Sequence, residues 1–302
     1  MKKFKGVIAP IITPFKSNGD FYELGMLNLL DFLYEHKVDG VYALGSYGSF
    51  PLLSISERKN VAEFIIQETK KRNLSSIIQI GAASTLDTID LALHAASHKP
   101  DAIASVVPFY YSHKVYGEET YINHFKEIIK AVNGRVPVQI YNNPRTTGYM
   151  VTPQFFASLI DIGVSGMKDS GTDMAAFGEF MNIVNDKSPD FDLMPGSASV
   201  FSSGFLLGAE ACVAGTAMVF PDMVVDLYDA LSNGDLEKIR ELQLNIIKVR
   251  GYQSIKPLRP SVSYDLLEIK GIDVGVPRKP WYQLNKKEYS DLKRNLQNSG
   301  LI

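Results

Sequence analysis

Eight short, apolar, β-branched runs alternate with longer segments of helical period along this chain, and that alternation leaves few folds open. The runs cover residues 6–13, 40–44, 77–81, 102–108, 136–141, 164–168, 192–195 and 211–214. Between them lie amphipathic segments at 23–36, 57–71, 86–98, 119–132, 152–160, 175–184 and 201–207. In the first of these, Leu27, Leu30, Leu33 and Tyr34 form one apolar stripe at helical spacing. Ser54 with Glu57, and Thr152 with Pro153, supply helix-start chemistry: a capping hydroxyl, then an acidic residue or proline in the first turn. Strict strand–helix alternation means a parallel sheet, whose strands are buried on both faces and read as continuous apolar runs, as Val7 to Ile12 does. Eight such strands close a ring, so the predicted fold is a (β/α)8 TIM barrel. An open doubly wound sheet is the alternative, but neither its GxGxxG fingerprint nor a P-loop lysine is present.

The 302 residues suit one barrel of about 250 residues plus an extension. Residues 1–222 are read as the barrel. Residues 223–302, with helical period at 227–231 and 236–249, are read as the final barrel helix and additional C-terminal helices packed on it. No composition break or Ser/Gly linker separates the two parts, so they form one unit. With 31 basic and 33 acidic side chains the surface offers no basic excess for nucleic acid or a membrane. The start Met1-Lys2-Lys3 and its apolar sequel look like a signal peptide, but Pro10 and Pro14 interrupt the run. No window supplies the about 20 uncharged apolar residues of a membrane span. A single cysteine, Cys212, excludes an internal disulfide and fits a cytoplasmic protein with an inert buried thiol.

Barrels of this kind carry chemistry at the C-terminal ends of strands and on the loops that follow. After strand two comes GSYGSFP, residues 45–51. There Gly45 and Gly48 free backbone N–H groups for an anion, and Ser46, Tyr47 and Ser49 add hydroxyls. A carboxylate or phosphate is the natural ligand; the plainer alternative is a tight turn needing glycine for its backbone angles. Strand five ends in Tyr141, whose phenol can carry a proton, followed by NNPRTTG. Strand six ends in Lys168, and burial would leave its amine free to attack a ketone. The alternative is a lysine paired with Asp169 or reaching solvent. The Phe109-Tyr110-Tyr111 cluster is either a wall of the site or part of a subunit interface. Gly196 and Ser197 form a small polar turn after strand seven, suited to ligand hydroxyls. No metal site is expected: His94 and His98 stand four apart, but no third ligand follows them at metal spacing. A GxSxG elbow is absent too.

Taken in order, GVIAPIITPF, GSYGSFPLLSISER, VVPFYY, YNNPRTTG, GMKDSG, GAEACVAGTAMVFP and GVPRKP resemble the dihydrodipicolinate synthase / N-acetylneuraminate lyase family of pyruvate-dependent class I aldolases, nearly end to end. The resemblance implies a homotetramer in which Lys168 forms a Schiff base with the C2 carbonyl of pyruvate or a 2-keto acid. It makes Tyr141 the proton-transfer residue, with Ser46 as its relay. Ser46-Tyr47 falls where the family holds the pyruvate carboxylate. Tyr111 matches a tyrosine that reaches into the neighbouring subunit's site, and the backbone at Val213 a position beside the Schiff base. No cofactor is implied beyond the lysine itself.

The departures bear on substrate. The family loop usually reads GTTGE or GSTGE, whereas here Tyr47 and Ser49 replace its threonine and glutamate. Synthases usually carry YNVPxRTG, but here the arginine is one place early, Arg145, and Thr146 holds its slot. Sialic acid lyases usually place acidic residues where Ala198 and Ser199 stand. The combination of GSxGxFP with GMKDSG looks closer to aldolases of 4-hydroxy-2-oxoglutarate and 2-keto-3-deoxy sugar acids, which would split a 4-hydroxy-2-keto acid into pyruvate and an aldehyde. Dihydrodipicolinate synthase, N-acetylneuraminate lyase and a sugar-acid dehydratase are the enzymatic alternatives. A non-catalytic keto-acid binder is the alternative from another class.

Overall fold

A computed structural model describes residues 4–253 and 260–302. The basic start Met1-Lys2-Lys3 lies outside the described residues. Every residue of β1 (Gly6–Pro10) is buried, as expected of a strand covered on both faces. The strands that follow are β2 (Gly40–Ala43), β3 (Ser75–Gln79), β4 (Ala102–Ser105), β5 (Val138–Asn142), β6 (Gly166–Asp169), β7 (Asp192–Pro195) and β8 (Ala211–Val213). All are parallel, in the order β7-β6-β5-β4-β3-β2-β1-β8, and β7 and β8 lie together, so the ring nearly closes. This is the (β/α)8 TIM barrel the alternation predicts.

The helices are α1 (Glu23–Glu35), α2 (Ile55–Lys71), α3 (Thr85–Ser97), α4 (His113–Val132), the four-residue α5 (Pro144–Thr147), α6 (Pro153–Asp161), α7 (Met174–Lys187) and α8 (Phe201–Leu206). After β8 come α9 (Pro221–Asn233), α10 (Leu236–Gln253), α11 (Val262–Ile269) and α12 (Lys286–Asn298). Both sequence-read caps form: Ser54 and Glu57 make a reciprocal capping box on α2, and the Thr152 hydroxyl accepts the Phe155 N–H on α6. Helix α10 packs on α9 and on the short turns after β7 and β8, burying Leu242, Ile246 and Val249. Helix α12 inserts Leu292 and Leu296.

Two boundaries differ from expectation for local reasons. Helix α4 begins six residues earlier than its apolar period suggests, running through Gly117 at a non-helical φ of 70°. Helix α9 begins at Pro221, because proline fits a first helical turn that lacks intrahelical N–H partners. Cys212 is fully buried, and burial pushes its thiol well above the ordinary range. Among the described residues no helix is long and apolar enough to cross a membrane.

Candidate active site

Parallel pairing sets the centre of the site. Tyr141 on β5 is the register partner of Lys168 on β6, and Asn142 that of Asp169. Partners in a ladder project to one side, whereas successive residues alternate, so Lys168 and Asp169 point apart. Asp169 is satisfied on its own side, where its Oδ1 accepts the Asn142 Nδ2–H at 2.7 Å and the Gly171 N–H at 2.9 Å. Lys168 is 3% exposed, so neither pairing with Asp169 nor reaching solvent describes it. Its Nζ lies 4.1 Å from the Tyr141 ring centroid and 4.2 Å from that of Tyr42.

This enclosure tunes both groups. Burial lowers the Lys168 pKa, Tyr141 opposes that, and the charge of Arg145 lowers it further. For Tyr141, burial alone would raise the phenol; the Lys168 charge and hydrogen bonds with Ser170, Ser46 and Lys168 outweigh it, and the net direction is down. The two titrate as a pair, with a positive charge near Tyr141 favouring phenolate and burial favouring free amine. An iminium at Lys168 would keep that positive charge in place.

Sequence reasoning did not single out Asn143, which the structure places at the junction. Its Nδ2 donates to the Tyr141 Oη at 3.2 Å and to the Ser46 Oγ at 3.1 Å, joining the end of β5 to the loop after β2. It is 3% exposed. Its only sequence signal is an amide where the synthase pattern has valine.

In the loop after β2 the left-handed residues are Leu44 and Ser49, each at φ 55°, not the glycines. What requires Gly48 is space, since a Cβ there would lie 2.9 Å from the Leu44 Cα. Among the described residues no hydrogen bond occupies the backbone N–H groups of Ser46, Tyr47 and Gly48. Tyr47 lies against Gly215, just past β8, where any side chain would strike its hydroxyl.

These elements open into one cavity of about 500 Å³. Its polar part includes Ser46, Tyr47, Tyr141, Asn143, Arg145 and Thr146, and its apolar part includes Phe50, Val106, Phe109 and Trp281. Arg145 therefore reaches the cavity despite its one-residue displacement. Lys168 connects to the cavity through Tyr141. Gly45, Gly48, Gly196, Ser197 and Val213 stay out of the lining: the Gly196 N–H donates to the Asp169 carbonyl at 2.6 Å, Ser197 caps the turn after β7, and Val213 pairs with Ile8. Tyr111 also stays out, 54% exposed and edge-on to Tyr110 and Tyr116. No histidine, cysteine or carboxylate is among the described residues lining the cavity. Away from the cavity, His94 and His98 have Glu63 of α2 beside them, a neighbour set by the packing of two helices and not by sequence spacing.

A parallel barrel with a buried lysine, a paired phenol and an open amide loop at the strand ends defines a barrel built for carbonyl chemistry. The family model of the dihydrodipicolinate synthetase family matches residues 3–299, and the chain belongs to that family; it is a pyruvate-dependent lyase of the class I aldolase type. It is 30% identical over 298 residues to an uncharacterized DapA-like lyase of Halobacterium salinarum, covering 98% of this chain and 94% of that one. N-acetylneuraminate lyase of Shigella boydii is 28% identical, over 96% of this chain and 95% of its own. Among solved structures, YagE, an Escherichia coli K12 prophage protein of the dihydrodipicolinic acid synthase family in complex with pyruvate, superposes with a TM-score of 0.92 at 27% identity, over 99% of both chains.

Proposed function

We propose that this protein is an aldolase that reversibly splits a 4-hydroxy-2-keto acid into pyruvate and an aldehyde. The observation that carries the reading is the buried Lys168 amine held against Tyr141 beside the amide-rich loop. The loop's N–H groups, those of Ser46 and Tyr47 included, and the Tyr47 hydroxyl bind the substrate's C1 carboxylate and set C2 before the amine. Free Lys168 adds to C2, and loss of water gives the iminium. Tyr141 takes the proton of the C4 hydroxyl, through Ser46, while the C3–C4 electron pair moves toward the iminium nitrogen. The aldehyde leaves with its new C4 carbonyl, and an enamine remains. Protonation at C3 and hydrolysis return pyruvate and free Lys168. Every group required is a side chain or backbone amide of the protein, and no cofactor enters.

The keto acid is read as a 2-keto-3-deoxy sugar acid or 4-hydroxy-2-oxoglutarate, with Thr146 and Arg145 at the aldehyde end. Arg145 in the cavity lining also supports a second reading, dihydrodipicolinate synthase, in which it would hold the carboxylate of aspartate semialdehyde. The active assembly is proposed to be a homotetramer in which Tyr111 completes a neighbour's site; its exposure outside its own cavity supports this.

The test is incubation with pyruvate, borohydride reduction and peptide mass spectrometry. An adduct on the Lys168 peptide is expected, absent in Lys168→Ala, which should keep its circular dichroism and lose turnover. Turnover retained in Lys168→Ala overturns the assignment. An adduct without pyruvate release from any keto-sugar acid would identify a binder instead.

A further inference from the structure

Helices α2 and α3 pack side by side and bring three metal-ligating side chains together away from the cavity. His94 lies in the last turn of α3 and His98 caps it, one turn on; Glu63 projects from α2. One ligand atom from each lies within 4.8 Å of the others. The His98 Nε2 is 3.7 Å from the Glu63 Oε2, and the two imidazole centroids are 4.8 Å apart. The His94 Nε2–H donates to the Lys59 carbonyl at 3.1 Å. That contact orients the ring and leaves the lone pair on Nδ1, as in metal-binding histidines whose second nitrogen is tied to a carbonyl. Lys59, the cation on the neighbouring turn of α2, is drawn to Asp90 at 2.6 Å.

We propose that Glu63, His94 and His98 form a binding site for a divalent transition metal of the zinc and nickel class. Two imidazoles and one carboxylate suit such ions, with water filling the open positions at this half-buried surface. Bonds of about 2.0–2.2 Å put ligand atoms about 3.5 Å apart, so side-chain movements of roughly 1 Å complete the sphere. The ion would link α2 to α3. A plain His98–Glu63 ion pair is the competing explanation, and it would need neither His94 nor a metal.

The test uses untagged, chelator-treated full-length protein titrated calorimetrically with zinc, nickel and magnesium chlorides. One saturable equivalent is expected for zinc and nickel and none for magnesium, with a zinc-dependent rise in Tm. His94→Ala and His98→Ala should each weaken zinc binding by about tenfold or more, Glu63→Gln by less, and the double histidine variant should abolish it. The pyruvate–Lys168 adduct should form equally in all of them, which separates this site from the active site and confirms folding. Absence of saturable zinc binding to the parent protein, or its survival in the folded double variant, would overturn the proposal.

Discussion

Lys168 can attack a ketone only as a free amine, and its enclosure between the rings of Tyr42 and Tyr141 raises the share of free amine above that of an exposed lysine. Desolvation disfavours the ammonium, so the pKa falls below the ordinary lysine value, and at any pH below that the neutral fraction exceeds that of an exposed lysine. The rate of borohydride trapping with pyruvate should therefore rise with pH through a midpoint below the ordinary lysine value and then level off. A midpoint at the ordinary lysine value would show that the pocket does not desolvate the amine. Tyr141→Phe removes the proton acceptor and leaves the amine, so turnover should fall by about 10²- to 10⁴-fold while the Lys168 adduct still forms. Asn143→Val removes an N–H that favours phenolate at Tyr141. The acid limb of kcat/KM should move to higher pH and the plateau should drop about tenfold, the worth of one hydrogen bond. A fall in rate with an unmoved limb would make Asn143 merely structural. Lys168 and Tyr141 are legible in the sequence because a polar residue ending an apolar strand contradicts its surroundings. Asn143 is not, since an amide in a polar loop contradicts nothing until folding sets it between two hydroxyls.

Helices α3 and α4 meet at a hydrogen bond between the Thr85 hydroxyl and the His124 Nδ1, 2.9 Å long, under a buried His124 side chain. Burial lowers the His124 pKa from 6.5 to about 4. Between those values the unfolded chain binds a proton that the folded chain refuses, so stability should decline as pH falls from 6.5 to about 4 and then flatten with respect to this group. The shift corresponds to about 3 kcal/mol, as an order of magnitude. Urea unfolding of the parent protein and His124→Leu at pH 7 and pH 4.5 should show a smaller acid loss in the variant. Equal losses would place the effect elsewhere. Elements as such are legible: all eight strands fall within or beside the apolar runs, because strands covered on both faces have no polar side to obscure them. Helix starts are less so. Residues 113–118 of α4 include an exposed lysine and valine and a left-handed glycine, and carry little of the period that burial imposes further along. Contacts between elements are invisible at this level. GVPRKP reads as a bare motif, yet Arg278 within it donates to the Leu52 carbonyl at 2.9 Å and pairs with Glu57 at 2.6 Å, tying the C-terminal segment to the loop beside the cavity.

At the scale of the whole molecule, the number eight decides the closed ring, and no stripe in the sequence decides what the ring assembles with. The structure supplies a local reason to expect a partner. Tyr110, Tyr111 and Val115 stand 79%, 54% and 70% exposed within six residues of one another, next to the cavity-lining Phe109. Tyrosine is enriched at interfaces because its ring gives up a large apolar area while its hydroxyl keeps a polar contact, and each buried ring contributes about 150–250 Å². A homotetramer that covers this patch would set Tyr111 against a second copy's site, which separates two substitutions by readout. Tyr110→Ser with Val115→Ser removes apolar area and should shift the light-scattering mass from tetramer toward smaller species. Tyr111→Phe keeps the ring and so the assembly, but deletes the hydroxyl. Its kcat should fall at least tenfold with little change in KM, provided that hydroxyl joins the proton path of a neighbouring Tyr141. A parent protein that runs as a monomer at micromolar concentration and turns over fully would remove the tetramer and the role of Tyr111 together. The assignment of Lys168 would stand, because its enclosure by Tyr42 and Tyr141 is complete within one chain.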